Sequence, residues 1–147
     1  MADARGPAPD ARVVEFEIPS DVRFIEDVVE AVRRECTMMR FADQQVTLNV
    51  PVALTEALAN AILRGNGEDR DKHVHVSARV DSARIVIEVS DEGGGFDLEE
   101  CTADPTTPER LEREDGRGLF LMRALMDHVE RFEVRHGNVV RMTLDRA

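Results

Sequence analysis

The chain contains a single lysine, Lys72, and neither tryptophan nor tyrosine. The lysine shortage excludes two phosphotransfer designs. A Walker A loop needs Gly-Lys, and a eukaryotic-type protein kinase needs a strand lysine on the nucleotide phosphates, whereas Lys72 follows Asp71. With no Trp or Tyr, six Phe and six Met are the bulky members of an otherwise aliphatic core, in a chain that is 42% apolar. That composition is globular. Cations are few enough to leave a net charge of −11, which argues against direct nucleic-acid binding, because such affinity comes from Lys and Arg displacing counterions. There are only two cysteines, Cys36 in a helical pattern and Cys101 in a polar loop. They form no disulfide framework and suit a reducing compartment, so the expected location is the cytoplasm. No uninterrupted apolar run approaches the roughly 20 residues of a membrane span, and the first residues lack the apolar stretch of a secretory signal. No membrane partner is expected.

At 147 residues the chain has the usual size of one domain. Residues 1–11, rich in Ala, Pro, Asp and Gly, read as a disordered tail, and 12–147 as the domain. "RVVEFEI" alternates Val14, Phe16 and Ile18 with charged residues, as a half-buried strand does. Ser20 or Asp21 then offers an N-cap, and Val22, Ile25, Val29, Val32, Cys36 and Met39 follow at helical spacing. A second helix begins near Gln44, with Pro51 either kinking it or opening its well-formed part. "KHVHVSARV" and "RIVIEVS" make a hairpin that turns Val74, Val76, Ala78, Val80, Ile85, Ile87 and Val89 inward. A long acidic loop runs from Asp91 to Asp115, "RGLFLMRALMDHV" is an amphipathic helix, and "ERFEVRHGNVVRMTLD" is a second hairpin turning at Gly137-Asn138. Hairpins gathered around three helices predict an α+β fold, a two-layer sandwich of sheet and helices.

Three polar clusters fall at the ends of these elements: Glu56 with Asn60 in "LTEALANAILRGNG", "DEGGG" at 91–95, and "DGRG" at 115–118. Each alone has an ordinary explanation: a solvated helix face, a strand ending in Asp-Gly, a helix entered through Gly. In this order they describe a nucleotide site that needs no lysine. Gly116 and Gly118 open a helix whose free N–H groups and positive dipole end attract phosphate. Gly93, Gly94 and Gly95 leave room for a flat ring to lie against the backbone. Asp91, at a strand end, can accept a hydrogen bond from an amino group such as adenine carries. Asn60 offers a neutral oxygen suited to Mg²⁺, and Glu56, one turn away on the same face, can act as a base beside the terminal phosphate.

"EALAN", "DEGGG" and "GRG" resemble the N box and the two glycine boxes of the GHKL ATPase superfamily, with its Bergerat α/β sandwich. Within it, "EALANAI", "DEGGGFD" and "GRGLFLMRALMDHVE" resemble the small anti-sigma factor serine/threonine kinases of bacterial stress and sporulation switches. The resemblance covers about residue 12 to the end. It implies a mixed, mostly antiparallel sheet with helices on one face, ATP and Mg²⁺ as cofactors, Glu56 as catalytic base and Asn60 as metal ligand. It also implies that Asp91 recognises adenine with Gly93, Gly95, Gly116 and Gly118 around the nucleotide, and that 96–115 is an ATP lid whose Arg113 reaches the phosphates. The implied substrate is an anti-sigma factor antagonist (STAS-type) domain, and the implied client a sigma factor or other regulator; a homodimer is left open. The chain departs from the family pattern at Arg64, where many relatives have histidine, and at Val139, where a threonine supports the adenine-binding aspartate. His73 and His75 lie on a strand, so no phospho-accepting histidine helix is expected, and no third zinc ligand is evident. The competing expectation is a nucleotide-gated binding module that transfers little or no phosphate.

Overall fold

The computed structural model describes residues 11–93 and 114–147. Nearly all of the expected tail, and the expected lid up to residue 113, lie outside them. The elements in chain order are β1 (Arg12–Pro19), α1 (Ile25–Met38), α2 (Val50–Asn60), β2 (His73–Val80), β3 (Arg84–Asp91), α3 (Glu114–Leu125), β4 (His128–Val134) and β5 (Gly137–Asp145). The strands form one sheet in the order β1-β2-β3-β5-β4. Every neighbouring pair among them is antiparallel, in keeping with the mostly antiparallel sheet that the resemblance implies. The helices form the second layer, α2 packing against both α1 and α3.

The alternation in the strands decides which face meets the helices. Val74, Val76, Ala78 and Val80 on β2, with Ile85, Ile87 and Val89 on β3, are all buried. Charged residues alternate with them on the open face, where Arg141 bridges Glu88 at 2.7 Å and Glu130 at 3.3 Å. The helical layer answers with Val28, Val32 and Cys36 from α1. Valine is a mediocre helix former, costing up to about 0.7 kcal/mol against alanine, but its burial is worth about 1.5–3 kcal/mol. Packing therefore outweighs propensity. Burial also pushes the Cys36 thiol up to about 12, so it is an inert core group rather than a nucleophile.

The helix through α2 is longer than its regular part. π-type turns at Gln45–Asn49 and Ala61–Gly65 extend it at both ends. Pro51 is therefore not its first residue. Proline has no N–H to give and its ring crowds the carbonyl four residues back; here the preceding turn widens, and the Val50 N–H reaches Gln45 O five residues back. At 21 residues and a mean hydropathy of 1.4, Gln45–Gly65 has the length and composition to cross a membrane, although Glu56 and Asn60 interrupt its apolar run. Its hydropathy has a local cause: Ala53, Leu54, Ala57, Leu58, Ala61 and Ile62 all lie in the core.

Two boundaries differ from the sequence reading. α3 stops at Leu125, whose carbonyl accepts from Asn49 Nδ2 at 2.6 Å, and His128 begins β4 rather than ending a helix. The second hairpin turns at Arg135-His136, with Gly137 already paired to Val134.

Candidate nucleotide site

Asp91 is the last residue of β3, and its carboxylate has two unlike oxygens. Oδ1 accepts from Gly93 N at 2.9 Å, and from Asn138 N and Nδ2 at longer distances of 3.3 and 3.4 Å. Oδ2 faces Gly65, where an added Cβ would lie only 2.2 Å away. Among the described residues Oδ2 has no hydrogen-bond donor. Asp91 thus has one oxygen fixed by the protein and one open to a ligand.

The chain crowds around it without side chains. A Cβ on Gly93 would lie 2.2 Å from Gly65 O, and one on Gly137, whose φ is +152°, would lie 1.8 Å from Asp91 O. Gly137 is therefore required for close backbone approach beside Asp91, not for the hairpin turn. The residue opposite Asp91 is Asn138, while Val139 pairs with Ser90. The position expected to support the aspartate is thus filled by an asparagine that supplies two donors, and not by Val139.

Glu56 and Asn60 are both half-buried on α2, four residues apart and so on one helix face. No hydrogen bond or ion pair to the described residues holds either side chain. The same helical run ends at Gly65 against Asp91, about 7.5 Å along the axis from Asn60 and about 13.5 Å from Glu56 at roughly 1.5 Å per residue. It carries both groups and touches the third. π-type turns like the one between Asn60 and Asn66 are frequent at functional sites; this one is closed by Asn66 N donating to Ala61 O at 2.9 Å.

Gly116 and Gly118 sit inside α3, which is already helical at Glu114, rather than ahead of it. Gly95 and Arg113 lie outside the described residues. No group of three or more His, Cys, Asp or Glu among the described residues could hold a metal ion. His73 and His75 instead face Glu17 at 3.8 and 4.0 Å, and His75 faces Glu92 at 3.5 Å. The sequence reading missed Gly65, Gly137 and Asn138. Only Gly65 left a trace in the sequence, a glycine just past Arg64 in a helix that otherwise has none.

The description "histidine kinase-like ATPase domain" matches residues 18–144. The chain belongs to this family. Within the family, the serine-protein kinase RsbW of Bacillus pumilus is 30% identical over 138 residues, 89% of this chain and 84% of that protein. RsbW of Bacillus subtilis (strain 168) is 28% identical over 138 residues, 90% and 85% of the two chains. An anti-sigma F factor of Heyndrickxia coagulans is 39% identical over 93 residues, 60% and 63%. Among solved structures, the RsbU and RsbW domains of Rv1364c from Mycobacterium tuberculosis superpose with a TM-score of 0.67 at 14% identity, over 92% of this chain and 32% of that longer one. The catalytic domain of histidine kinase ThkA gives 0.55 at 14% identity, over 92% and 96%. Chains so divergent in sequence share the fold.

Proposed function

We propose that the chain is an ATP-dependent protein serine/threonine kinase of the partner-switching type. It restrains a sigma factor or similar regulator and phosphorylates the antagonist domain that would displace it. The carrying observation is the Asp91 carboxylate, with one oxygen tied to the protein and the other open beside Gly65. Such an oxygen suits the exocyclic amino group of adenine and disfavours the carbonyl that guanine presents there. Kinship with RsbW serine-protein kinases and an anti-sigma F factor supports the rest of the reading.

With adenine at Asp91, the phosphates would lie toward Asn60 and Glu56, which stand on the helical run that ends against Asp91. Asn60 would hold Mg²⁺ through its amide oxygen, and a single neutral protein ligand fits an ion that keeps waters and phosphate oxygens around it. When bound, Mg²⁺ supplies positive charge against the phosphate oxygens. Glu56 accepts the proton of the acceptor Ser or Thr hydroxyl. The freed oxygen bonds to the terminal phosphorus as the bond from that phosphorus to the bridging oxygen breaks, and ADP leaves. The protein is expected to work in the cytoplasm.

The test is incubation with labelled ATP and candidate antagonist domains from the same genome. The parent protein is expected to label a Ser or Thr. Glu56→Gln should bind ATP as the parent does but transfer phosphate about 10²–10⁴-fold more slowly. Asn60→Ala should lose both Mg²⁺-dependent binding and transfer. A parent protein that binds ATP and labels no antagonist is a nucleotide-gated binding module instead.

A further inference from the structure

Asn66 lies just past the helical run and is 3% exposed. Its side chain makes three hydrogen bonds to three different segments. Nδ2 donates to Ser20 Oγ at 2.9 Å and to His73 O at 3.0 Å, and Oδ1 accepts from Glu92 N at 2.8 Å. Ser20 Oγ in turn donates to Lys72 O at 2.7 Å. An amide has two donor hydrogens and one acceptor oxygen, so each of its groups is engaged. The one bond to the nucleotide site is that from Glu92, the residue between Asp91 and Gly93.

The location of that bond gives it leverage. Segments 64–66 and 91–93 approach so closely that neither Gly65 nor Gly93 has room for a Cβ. Gly65 has no side chain to interlock with the Asp91 carboxylate, and Gly93 meets only the Gly65 backbone and Asp91 Oδ1, so packing alone supplies little lateral restraint here. The Asn66–Glu92 bond is the polar link across this contact, and the Glu92 side chain adds a second anchor by accepting from His73 N at 3.1 Å. Asp91 Oδ1 is held from the opposite side by Gly93 and Asn138. Among the described residues, the Asn66–Glu92 bond is the direct polar link between the segment that carries Gly65 and the segment that carries Asp91.

We propose that Asn66 is a positioning residue for base recognition: it sets the height of Asp91 Oδ2 over Gly65, and through it the affinity for adenine, without reaching the nucleotide. The proposal rests on the reading of Asp91 as the adenine acceptor. Asn66→Ala is expected to weaken ATP binding about 10-fold, the scale of one buried hydrogen bond left unmade, and to narrow the preference for ATP over GTP. KM for ATP should rise by the same factor while kcat at saturating ATP stays unchanged. Without nucleotide, the Glu92 amide should exchange its hydrogen at least about tenfold faster than in the parent, since its acceptor is gone.

Gln45→Ala is the comparator. Gln45 is also a buried amide, bonded to Asp145 O at 2.8 Å, but stands at the far end of the same helical run. It should lower the melting temperature and leave ATP affinity as in the parent. Should Asn66→Ala fail to fold, Asn66→Ser, whose hydroxyl falls short of the Glu92 amide, takes its place. Unchanged ATP affinity in the Asn66 variant, or an equal loss in Gln45→Ala, overturns the proposal while the nucleotide reading stands. A parent protein that binds no ATP overturns both.

Discussion

Gly65 and Gly67 stand two residues apart and make opposite demands. At Gly65 the constraint is space, because a Cβ would meet Asp91 Oδ2 at 2.2 Å; at Gly67 it is conformation, because φ is +60° and nothing lies within 4 Å. Gly65→Ala is therefore expected to give a folded protein that has lost ATP affinity by more than about tenfold, as Asp91 turns or the helix end recedes. Gly67→Ala should cost about 1 kcal/mol of stability and bind ATP as the parent does. Calorimetry and urea denaturation on the same two proteins separate these outcomes, and equal affinities would remove Gly65 from the site. Asp91 was legible in the sequence as a candidate because a carboxylate ahead of three glycines at a strand end is a local pattern. Gly65 was not, because what forbids its side chain lies 26 positions further along the chain.

Among the elements, α1 shows how much a local signal carries. The sequence offered Ser20 or Asp21 as its cap, and the structure divides the two roles. Asp21 Oδ1 accepts from Arg23 N at 2.9 Å at the head of a short turn leading into α1, while Ser20 is buried and bonded to Lys72 O. The hydrogen bond from the Arg23 side chain, with the backbone bond beside it, holds the Asp21 carboxyl down to about 2, below its ordinary 3.8. A depressed carboxyl stabilises the fold above its unfolded pKa and loses that contribution as pH falls through the folded one. Between about pH 4 and pH 2 the melting temperature of the parent should fall more steeply than that of Asp21→Asn. Parallel curves would show that the cap carries no ionic component. The same locality explains an error at the second hairpin. Gly137-Asn138 has turn composition, but the turn is Arg135-His136, and both residues are instead engaged with Asp91 across the sheet. A glycine needed for close approach and a glycine needed for a turn look alike until the neighbouring strand is known.

For the molecule as a whole, strand alternation and helix spacing made the two layers legible, since each is a count along the chain. The strand order was not, because β5 inserts between β3 and β4, a choice made by pairing between distant segments. Ligand binding to this assembly should register as global stability. ATP at 100 times its Kd adds about 2.7 kcal/mol, which for a domain of this size raises the melting temperature by about 5–10 °C. Mg·ATP should give that shift, GTP at the same concentration a smaller one, and Asp91→Asn none; equal shifts from both nucleotides would dismiss adenine recognition. The pairing of β3 with β5 also bears on how the protein is made. As the chain leaves the ribosome, β3 can pair with β2 at once, but its other edge waits for a strand that begins 46 residues after Asp91, at Gly137. During that interval the nascent sheet presents an open row of backbone donors and acceptors along Ile85, Ile87 and Val89, the kind of edge that invites pairing with another chain. Asp91 is meanwhile without Asn138, whose two donors reach its Oδ1, so the strand that closes this edge is also the one that completes the setting of the carboxylate.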